Sequence, residues 1–313
     1  MQEVIYGCMG LGGSWSDEPH GDDHVDQAAA AVQAALEAGI TLFDHADIYR
    51  NGKSEAVFGE VLAATPGLRE RIRLQTKCGI RLNERGLQTH YDLSREAILE
   101  RVNGSLERLR TDYVDVLLLH RPDPLADPAE VAAAVGQLMA EGKMRQLGVS
   151  NMSAAQIDLL QDRLETPVVA NQLEMSLLKR AWLESQVLVN HPEHLDYSFP
   201  HGTLEYCMRH NITLQAYGAL AKGAYTGAEP ESPTPAGAAT AGLVAELAET
   251  YGATGEAILL GWLMKHPAGI APVIGTANPD RIRACAGAGQ AAQDLTRADW
   301  YKLWVTARGS NIP

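Results

Sequence analysis

Reactive side chains stand at the ends of three consecutive apolar segments of the sequence. The first segment ends in Asp44, and Tyr49 follows in the next loop. The second segment ends at Lys77, and the third is followed by His120. If these segments are neighbouring parallel strands, their carboxyl ends lie at one rim of the sheet. The sequence therefore predicts a carboxylate, a phenol, an ammonium and an imidazole within one site.

These four groups suit the donation of a proton to a carbonyl oxygen. The phenol of tyrosine has a pKa of about 10, and a neighbouring ammonium lowers it because the positive charge favours the phenolate. We therefore expect Lys77 to lower the pKa of Tyr49, and Asp44 to keep Lys77 charged and oriented. His120 would hydrogen-bond a substrate oxygen. Since no natural side chain delivers a hydride, the pattern also implies a nicotinamide cofactor.

Eight apolar, β-branched runs alternate with amphipathic, alanine-rich segments along the chain. This alternation is typical of a parallel sheet with crossover helices. Eight strand and helix units predict an α/β fold, the (β/α)8 TIM barrel, whose active site lies at the C-terminal face of the strands. The predicted strands are residues 4–8, 40–44, 72–77, 113–119, 144–149, 168–172, 212–216 and 270–274.

The predicted helices lie between these strands. Ser94 precedes an amphipathic run and suits an N-cap, because its hydroxyl accepts an N–H of the first turn. With 313 residues, the whole chain, 1–313, is predicted to form one barrel domain. The predicted helices are residues 25–38, 54–64, 94–109, 128–140, 153–163, 203–209, 243–251, 255–265 and 279–286.

Two segments exceed what the barrel needs. Residues 182–201 follow the sixth strand and mix aromatic residues with three histidines. Residues 228–242 follow the seventh strand and are rich in Pro, Ala and Gly, which is typical of a mobile loop. Both follow the carboxyl ends of strands, so each is a candidate lid or pocket wall, and the second equally suits a surface loop.

The composition narrows the classes of function. A net charge of -13 argues against a nucleic-acid binder, which needs clustered Lys and Arg. We find neither a basic, apolar leader nor an apolar run of about 18 residues, so we predict a cytoplasmic protein that does not bind membranes. Four scattered cysteines predict reduced, buried thiols. No obligate protein partner is evident.

Several short motifs resemble those of the aldo-keto reductase family, in family order and along nearly the whole chain. The motif "FDHADIY" is similar to the family's strand-two motif with its catalytic Asp and Tyr. The motifs "TKCG" and "LLLHRPDP" are similar to those that carry the family's Lys and His. The resemblance implies an NAD(P)H-dependent reductase of aldehydes or ketones, with four catalytic residues: Asp44, Tyr49, Lys77 and His120.

Three further motifs, "LGVSN", "NQLE" and "QAYGAL", resemble the family's cofactor-binding motifs. The resemblance implies that Ser150 and Asn151 hold the nicotinamide carboxamide. It also implies that Gln172 binds the cofactor and that Tyr217 stacks on the nicotinamide ring. The pyrophosphate is expected under the loop 218–223, where the implied contacts are Gly218, Leu220, Lys222 and Gly223.

The segment "VIGTANPDRI" resembles the final family motif, which binds the adenosine end of the cofactor. Thr276 and Arg281 stand where the family has a phosphate-binding Ser and Arg. Gly275 replaces a frequent Lys, and Ala284 and Cys285 replace a Glu-Asn pair. Because Arg281 suits two hydrogen bonds to a 2′-phosphate, the implied cofactor is NADPH, or NADP+ after the reaction. NADH is not excluded.

The substrate is a small carbonyl compound, an aldehyde or ketone, that the sequence does not define further. The spacing of "GCMGLGGSW" does not fit a dinucleotide-fold glycine motif, so we interpret it as the floor of the pocket, with Trp15 as a candidate substrate contact. Arg121 is a second candidate and favours a polar or anionic substrate. The motif "HRPDP" also permits a structural pair between Arg121 and Asp123.

Two other functions fit the same residues less well. A metal-dependent barrel hydrolase would use the "DHAD" motif with His120 as ligands. Because side chains alternate along an extended chain, His45 is expected to point away from Asp44, and we predict no metal site. A non-catalytic, cofactor-sensing barrel subunit is the third hypothesis, because a fold does not fix a function.

Overall fold

The fold is a closed barrel of eight strands. A computed structural model describes residues 3–84, 86–229 and 232–313. The strands follow one another around the barrel in the order β1-β10-β9-β8-β7-β6-β3-β2, which confirms the predicted (β/α)8 fold and all eight predicted strands. Their bounds are β1 (Ile5–Gly7), β2 (Leu42–Asp44), β3 (Arg73–Cys78), β6 (Val114–Leu119), β7 (Met144–Ser150), β8 (Val168–Glu174), β9 (Thr213–Tyr217) and β10 (Ile270–Ile274).

Helices connect the strands. Ser94 caps the helix that follows it, where its hydroxyl accepts the backbone N–H of Ala97, and this confirms the predicted N-cap. The helices are α1 (Asp22–Glu37), α2 (Lys53–Ala64), α3 (Leu68–Arg71), α4 (Arg95–Leu109), α5 (Pro128–Ala140), α6 (Ala154–Gln161), α7 (Ala181–Val187), α8 (Thr203–Arg209), α9 (Pro235–Tyr251), α10 (Gly255–Met264), α11 (Pro279–Arg283), α12 (Ala288–Asp294) and α13 (Arg297–Arg308).

A β-hairpin that the sequence analysis did not predict follows β3. Its strands, β4 (Ile80–Glu84) and β5 (Leu87–Tyr91), are antiparallel, with Ile80 opposite Tyr91 and Glu84 opposite Leu87. The hairpin begins two residues after the end of the β3 strand that carries Lys77. It therefore belongs to the connection between β3 and α4, at the carboxyl end of the strand.

The chain divides into two compact units. The first, the catalytic-strand unit, comprises Ile5–Gln172 and Gly275–Pro279; the second, the C-terminal unit, includes Leu173–Ile274 and Asp280–Pro313. In the catalytic-strand unit, the edge-on rings of Tyr6 and Phe43 lie 5.7 Å apart within the core. In the C-terminal unit, the indole N–H groups of Trp262 and Trp300 each donate to the other residue's carbonyl oxygen. A single domain over 1–313 stays a prediction.

The two long segments contain more regular structure than the sequence suggested. Residues 182–201 include most of α7 and a 3-10 helix, Pro192–Asp196. The prediction of a loop over 228–242 was wrong from Pro235 onward, because Thr234 caps α9 there and Pro235 occupies its first turn. Residues 230 and 231 of that segment lie outside the described residues.

Two further observations concern the chain as a whole. In the described ranges, no helix is both long and apolar enough to cross a bilayer. The four cysteines are buried and form no disulfide with one another, which confirms the predicted state of the thiols.

Candidate active site

The ammonium of Lys77 lies at the centre of the predicted catalytic group. Its Nζ atom donates to Asp44 Oδ2 at 2.7 Å, to the His45 carbonyl oxygen at 2.8 Å and to Tyr49 Oη at 2.9 Å. A lysine ammonium has three N–H donors, so each finds an acceptor. The Lys77 side chain is 0% exposed. Three short contacts and complete burial therefore fix both its position and its direction.

The pairing of β2 with β3 places Asp44 beside this ammonium. Asp44 lies opposite Gln75 in the strand register, and the Gln75 side-chain amide donates to Asp44 Oδ1 at 2.6 Å. Both oxygens of Asp44 thus have donors. Burial lowers the pKa of Lys77, but the Asp44 charge and the Tyr49 hydroxyl raise it by more, and the net pKa lies above its ordinary value. Lys77 is charged at neutral pH.

The segment after β2 continues along β3 before it turns. The His45 N–H donates to the Gln75 carbonyl oxygen at 2.8 Å, and the Asp47 N–H donates to the Lys77 carbonyl oxygen at 3.1 Å. Beyond Tyr49, three residues in succession are left-handed: Arg50 (φ 52°), Asn51 (φ 57°) and Gly52 (φ 84°). Left-handed residues reverse the chain direction sharply. The turn after Tyr49 leads into α2, and a preceding turn, in which the Tyr49 N–H donates to the Ala46 carbonyl oxygen at 3.1 Å, holds Tyr49 beside Lys77.

The pKa of Tyr49 lies above its ordinary value, and the predicted fall in this pKa was wrong. Burial raises it, the Lys77 ammonium lowers it, and the nearby Asp44 charge raises it again. Burial outweighs the ammonium because the phenolate loses more hydration than one nearby positive charge restores. Tyr49 therefore keeps its proton at neutral pH, as a proton donor must, and Lys77 limits the cost of losing it.

His120 lies next to this phenol. Its backbone N–H donates to the Cys78 carbonyl oxygen at 2.9 Å, and its ring meets the Tyr49 ring edge-on at 5.9 Å between centroids. Burial, the Lys77 ammonium and the Arg121 guanidinium hold the pKa of His120 well below its ordinary value. His120 is therefore a neutral imidazole, which has one N–H to donate and one nitrogen that accepts.

The residues of the hypothetical metal site point into different surroundings. The ring of His45 is buried against Phe58, with 4.5 Å between ring centroids. Burial, with a smaller effect of the Lys77 charge, lowers the pKa of His45 to about 3. Asp44 binds Lys77, while Asp47 faces Arg101 of α4. Within the described residues, no three His, Cys, Asp or Glu side chains are grouped so as to hold a metal ion.

Three of the cofactor-binding candidates meet at the ends of β7 and β8. Ser150 Oγ donates to the Gln172 carbonyl oxygen at 2.9 Å, and the Asn151 side-chain amide donates to Ser150 Oγ at 2.8 Å. The Asn151 N–H also donates to the Gln172 carbonyl oxygen, at 2.9 Å. Asn151 adopts a left-handed conformation (φ 57°). Hydroxyl and amide groups are thus held together at the same rim as the catalytic group.

Thr276 belongs to the same catalytic-strand unit. Its carbonyl oxygen accepts the Tyr6 hydroxyl at 3.1 Å, and its Oγ1 accepts the Asn278 N–H at 3.2 Å. The hydroxyl therefore closes a short turn.

The remaining cofactor-binding candidates lie in the C-terminal unit. Tyr217 ends β9, and its carbonyl oxygen accepts the Met175 N–H at 3.2 Å. The loop 218–223 contains four left-handed residues: Gly218, Ala221, Lys222 and Gly223. A Cβ atom at Gly223 (φ 83°) would lie 2.8 Å from Arg281 Nη2, so the loop passes close to the guanidinium. Arg281 is 42% exposed at its side chain and lies 4.0 Å from Glu256.

The two candidate substrate residues are found in the catalytic-strand unit. Trp15 is 44% exposed, and the Arg50 guanidinium lies over its ring at 5.3 Å. Arg121 is half-buried and close enough to affect the pKa of His120. The suggested Arg121–Asp123 pair is not formed: the Asp123 carboxylate instead accepts the backbone N–H groups of Leu93 and Leu125 at 2.9 Å. Both assignments to substrate stay predictions.

The sequence analysis overlooked Gln75, which orients Asp44 from the neighbouring strand. Its signal was present: Gln75 and Lys77 are two residues apart on β3 and so point to the same face. A polar residue on the face of a strand that carries a catalytic lysine is a candidate partner for the lysine's counter-ion.

Comparisons with known proteins agree with this geometry. A model of the Aldo/keto reductase family matches residues 3–303. A 6-dehydroglucose reductase of Agrobacterium fabrum is 34% identical over 325 residues, covering 100% of this chain and 96% of that protein. The glycerol dehydrogenase AKR11B4 from Gluconobacter oxydans has a similar structure (TM-score 0.78, 25% identity, 99% and 93% coverage). So has an aldo-keto reductase from Klebsiella pneumoniae in complex with NADPH (TM-score 0.70, 22% identity, 97% and 94% coverage).

The barrel and these matches define the class as an NAD(P)H-dependent oxidoreductase. The chain belongs to the aldo/keto reductase family, and the predicted family, fold and enzyme class are confirmed.

Proposed function

We propose that this protein reduces an aldehyde or ketone with NADPH and that Tyr49 gives the proton to the carbonyl oxygen. The observation that carries the proposal is the three-way contact of the Lys77 ammonium with Asp44, His45 and Tyr49. The phenol oxygen accepts from Lys77, so its own O–H remains to donate elsewhere. A buried phenol with a raised pKa holds that proton until negative charge develops on an acceptor nearby.

Each of the other three residues has a separate task in this step. When bound, a reduced nicotinamide supplies the hydride that the carbonyl carbon takes up. Lys77 stabilises the phenolate that Tyr49 becomes on losing its proton, and Asp44 keeps Lys77 in place. His120, being neutral, donates a hydrogen bond to the same carbonyl oxygen and orients it.

The residues present fit a dinucleotide cofactor in both units. Ser150, Asn151 and Gln172 offer hydroxyl and amide groups that suit a carboxamide. In the C-terminal unit, Gly223 leaves room where a Cβ would meet Arg281, and a half-exposed guanidinium beside a glycine loop suits a phosphate. The proposed set of cofactor-binding residues also includes Tyr217, Gly218, Leu220 and Lys222 of this unit, and Thr276 of the catalytic-strand unit.

The substrate is proposed as a small carbonyl compound. A relative of 34% identity is named a 6-dehydroglucose reductase, so oxidised sugars belong in the first panel. The proposed substrate contacts are the exposed Trp15 ring, which has Arg50 above it, and the half-buried Arg121. They suit a substrate with an apolar face and polar substituents.

The proposal is tested by incubating the purified protein with NADPH and a panel of carbonyl compounds. The panel should hold 6-dehydroglucose, aliphatic and aromatic aldehydes, and ketones, with consumption of NADPH followed by absorbance. Turnover with at least one compound is expected. NADPH that binds tightly without turnover across the panel would instead support the non-catalytic, cofactor-sensing hypothesis.

We predict that Arg281→Met weakens NADPH binding but not NADH binding. Loss of charged hydrogen bonds to a 2′-phosphate should raise the Kd for NADPH about ten- to a hundredfold, and NADH lacks that phosphate. Fluorescence titration with each cofactor measures both values. Arg283→Met is the matched control, because Arg283 lies in the same helix and pairs with Asp280 at 3.1 Å. An equal loss of affinity for both cofactors would contradict the assignment of Arg281.

Three coarser expectations accompany this function. We propose a cytoplasmic protein, in line with its four buried, free cysteines. Its acidic charge argues against a nucleic-acid partner, and we propose that it needs no obligate protein partner. We also keep the proposal that 1–313 form one domain. Cell fractionation and limited proteolysis test the first and the last of these.

A further inference from the structure

Asp47 is a buried carboxylate that the proposed reaction does not use. Its side chain is 0% exposed, and within the described residues neither of its oxygens has a hydrogen-bond partner. The nearest cation is Arg101 of α4, whose Nε lies 3.8 Å from Asp47 Oδ2 and is itself without a hydrogen-bond acceptor among the described residues. Besides Arg101, the Ile48 backbone also favours the charged form of Asp47. A buried carboxylate with so few partners still costs stability, so its presence needs a reason.

The position of Asp47 suggests that reason. Asp47 lies two residues before Tyr49, and its N–H donates to the carbonyl oxygen of Lys77 at 3.1 Å. The backbone of Asp47 is thus attached to the residue whose ammonium contacts the phenol. Its side chain faces α4. Any shift of Asp47 relative to α4 would move the phenol against the ammonium.

The other charges around Asp47 have partners of their own. Glu55 of α2 accepts Thr76 Oγ1 at 2.5 Å and Arg108 Nε at 2.8 Å. Glu55 raises the pKa of Asp47, whereas Arg101 and Arg108 lower it. The buried thiol of Cys78 also faces this cluster. Arg108 is bound to Glu55, whereas the Nε atom of Arg101 faces Asp47 directly at 3.8 Å.

We infer that Asp47 and Arg101 are positioning residues, whose ion pair fixes the segment that carries the proton donor against α4. This inference rests on the proposed function of Tyr49. Arg101 also contacts Glu84 of the β-hairpin, but through Nη2 and not through the Nε atom that faces Asp47. The pair acts on the reaction through Tyr49 and touches no substrate.

The ionisation of Asp47 makes this pair sensitive to pH. Burial, and then the Glu55 charge, raise the pKa of Asp47 to about 7. Above that pH the carboxylate is charged and attracts Arg101; below it the neutral acid does not. Turnover should therefore fall as the pH is lowered through about 7, although Tyr49 itself stays protonated over this range. Asp47→Asn should turn over more slowly, by about tenfold or more, without this acid limb.

As the pH rises, the contribution of Asp47 to folding stability should fall, whereas turnover should rise. A raised pKa means that the folded protein binds the proton more tightly than the unfolded chain, so ionised Asp47 opposes folding. That cost is absent below the ordinary pKa of an aspartate, grows as the pH rises, and is complete above about 7. Asp47→Asn should therefore melt above the wild type at pH about 8, and the difference should shrink toward pH about 5. A merely structural residue would lose stability and turnover together.

Hydrogen exchange separates this inference from the proposed function. The amides of His45 and Asp47 should exchange about tenfold faster or more in Asp47→Asn and in Arg101→Met. Glu84→Gln, which keeps the pair but removes the other acidic partner of Arg101, should exchange as the wild type does. Because Asp47→Asn and Arg101→Met break the same ion pair, turnover in the double variant should be no slower than in either single variant.

The inference would be overturned if Asp47→Asn left both the amide exchange rates and the acid limb of turnover unchanged. It would also be overturned if Glu84→Gln raised the exchange rates as much as Asp47→Asn does. Faster exchange in a protein that reduces no carbonyl compound would instead reject the proposed function and leave the positioning of the segment intact. Arg101→Lys keeps the charge and should restore part of the turnover that Arg101→Met loses.

Discussion

Tyr49→Phe is expected to lower kcat for carbonyl reduction by about a hundred- to ten-thousandfold, the usual contribution of a positioned general acid. The variant removes only the hydroxyl that Lys77 contacts at 2.9 Å. The phenyl ring still fills the space beside His120. Since the change removes an interaction made in the transition state, the affinity for NADPH should stay the same. Steady-state kinetics and fluorescence titration measure the two quantities.

Tyr91→Phe is the matched control for this variant. Tyr91 ends the β-hairpin of the same unit and is 40% exposed, so its hydroxyl should not affect turnover. If Tyr49→Phe keeps kcat within about twofold of the wild type, Tyr49 is not the acid. A loss of NADPH affinity equal to the loss of kcat would likewise place its hydroxyl in binding and not in proton transfer.

Lys77→Met is expected to damage both turnover and folding. The variant leaves the buried carboxylate of Asp44 without its cation, which costs about 3–5 kcal/mol of unfolding free energy. It also removes the charge that lowers the pKa of Tyr49, so proton loss from the phenol becomes harder. We expect kcat to fall by about a hundredfold or more. Urea denaturation and steady-state kinetics measure the two effects.

A second substitution distinguishes these effects. Lys77→Met combined with Asp44→Asn removes both charges and should recover most of the stability, because no unpaired buried ion remains. Its kcat should stay low. Lys143→Met is the surface control: Lys143 pairs with Glu141 at 2.7 Å but is one-third exposed, so its loss should cost at most about 1 kcal/mol. Normal turnover in Lys77→Met would remove the basis for the proposed role of Lys77.

The barrel and its catalytic group were predictable because the reactive residues follow the ends of regularly repeated apolar runs. Apolar runs gave the eight strands to within a few residues. Asp44, Lys77 and His120 each lie at or just after the end of one run, and the pairing of β2, β3 and β6 brings those ends together. Parallel strands determine which residues share a rim, so the type of residue at each strand end was enough.

Other elements escaped prediction for local reasons. The β-hairpin has an alternating pattern, but the sequence between its two strands lacks the strong signal of an Asn-Gly or Asp-Gly pair. The start of α9 did carry a signal, since Thr234 and Pro235 suit the N-cap and first turn of a helix. The Pro, Ala and Gly content of the segment concealed it.

The electrostatics of the site depend on burial, which a sequence does not specify. A lysine near a tyrosine predicts a lowered phenol pKa only if water still reaches the phenol. Here the packing around Tyr49 excludes water and reverses the sign. For the same reason the sequence does not indicate that Asp47 is buried, whereas the fold encloses it beside Arg101.

The pH dependence of a single turnover tests most directly whether Tyr49 is the proton donor beside Lys77. Enzyme and bound NADPH are mixed with excess carbonyl substrate in a stopped-flow instrument, and the loss of nicotinamide absorbance is followed in the wild type and in Tyr49→Phe. On the alkaline side we expect the wild-type rate to hold and to fall only where the buried phenol ionises, which lies above the ordinary pKa of tyrosine. The variant should be slower throughout and lack this fall. Equal rates with the same alkaline limb in both proteins would contradict the account.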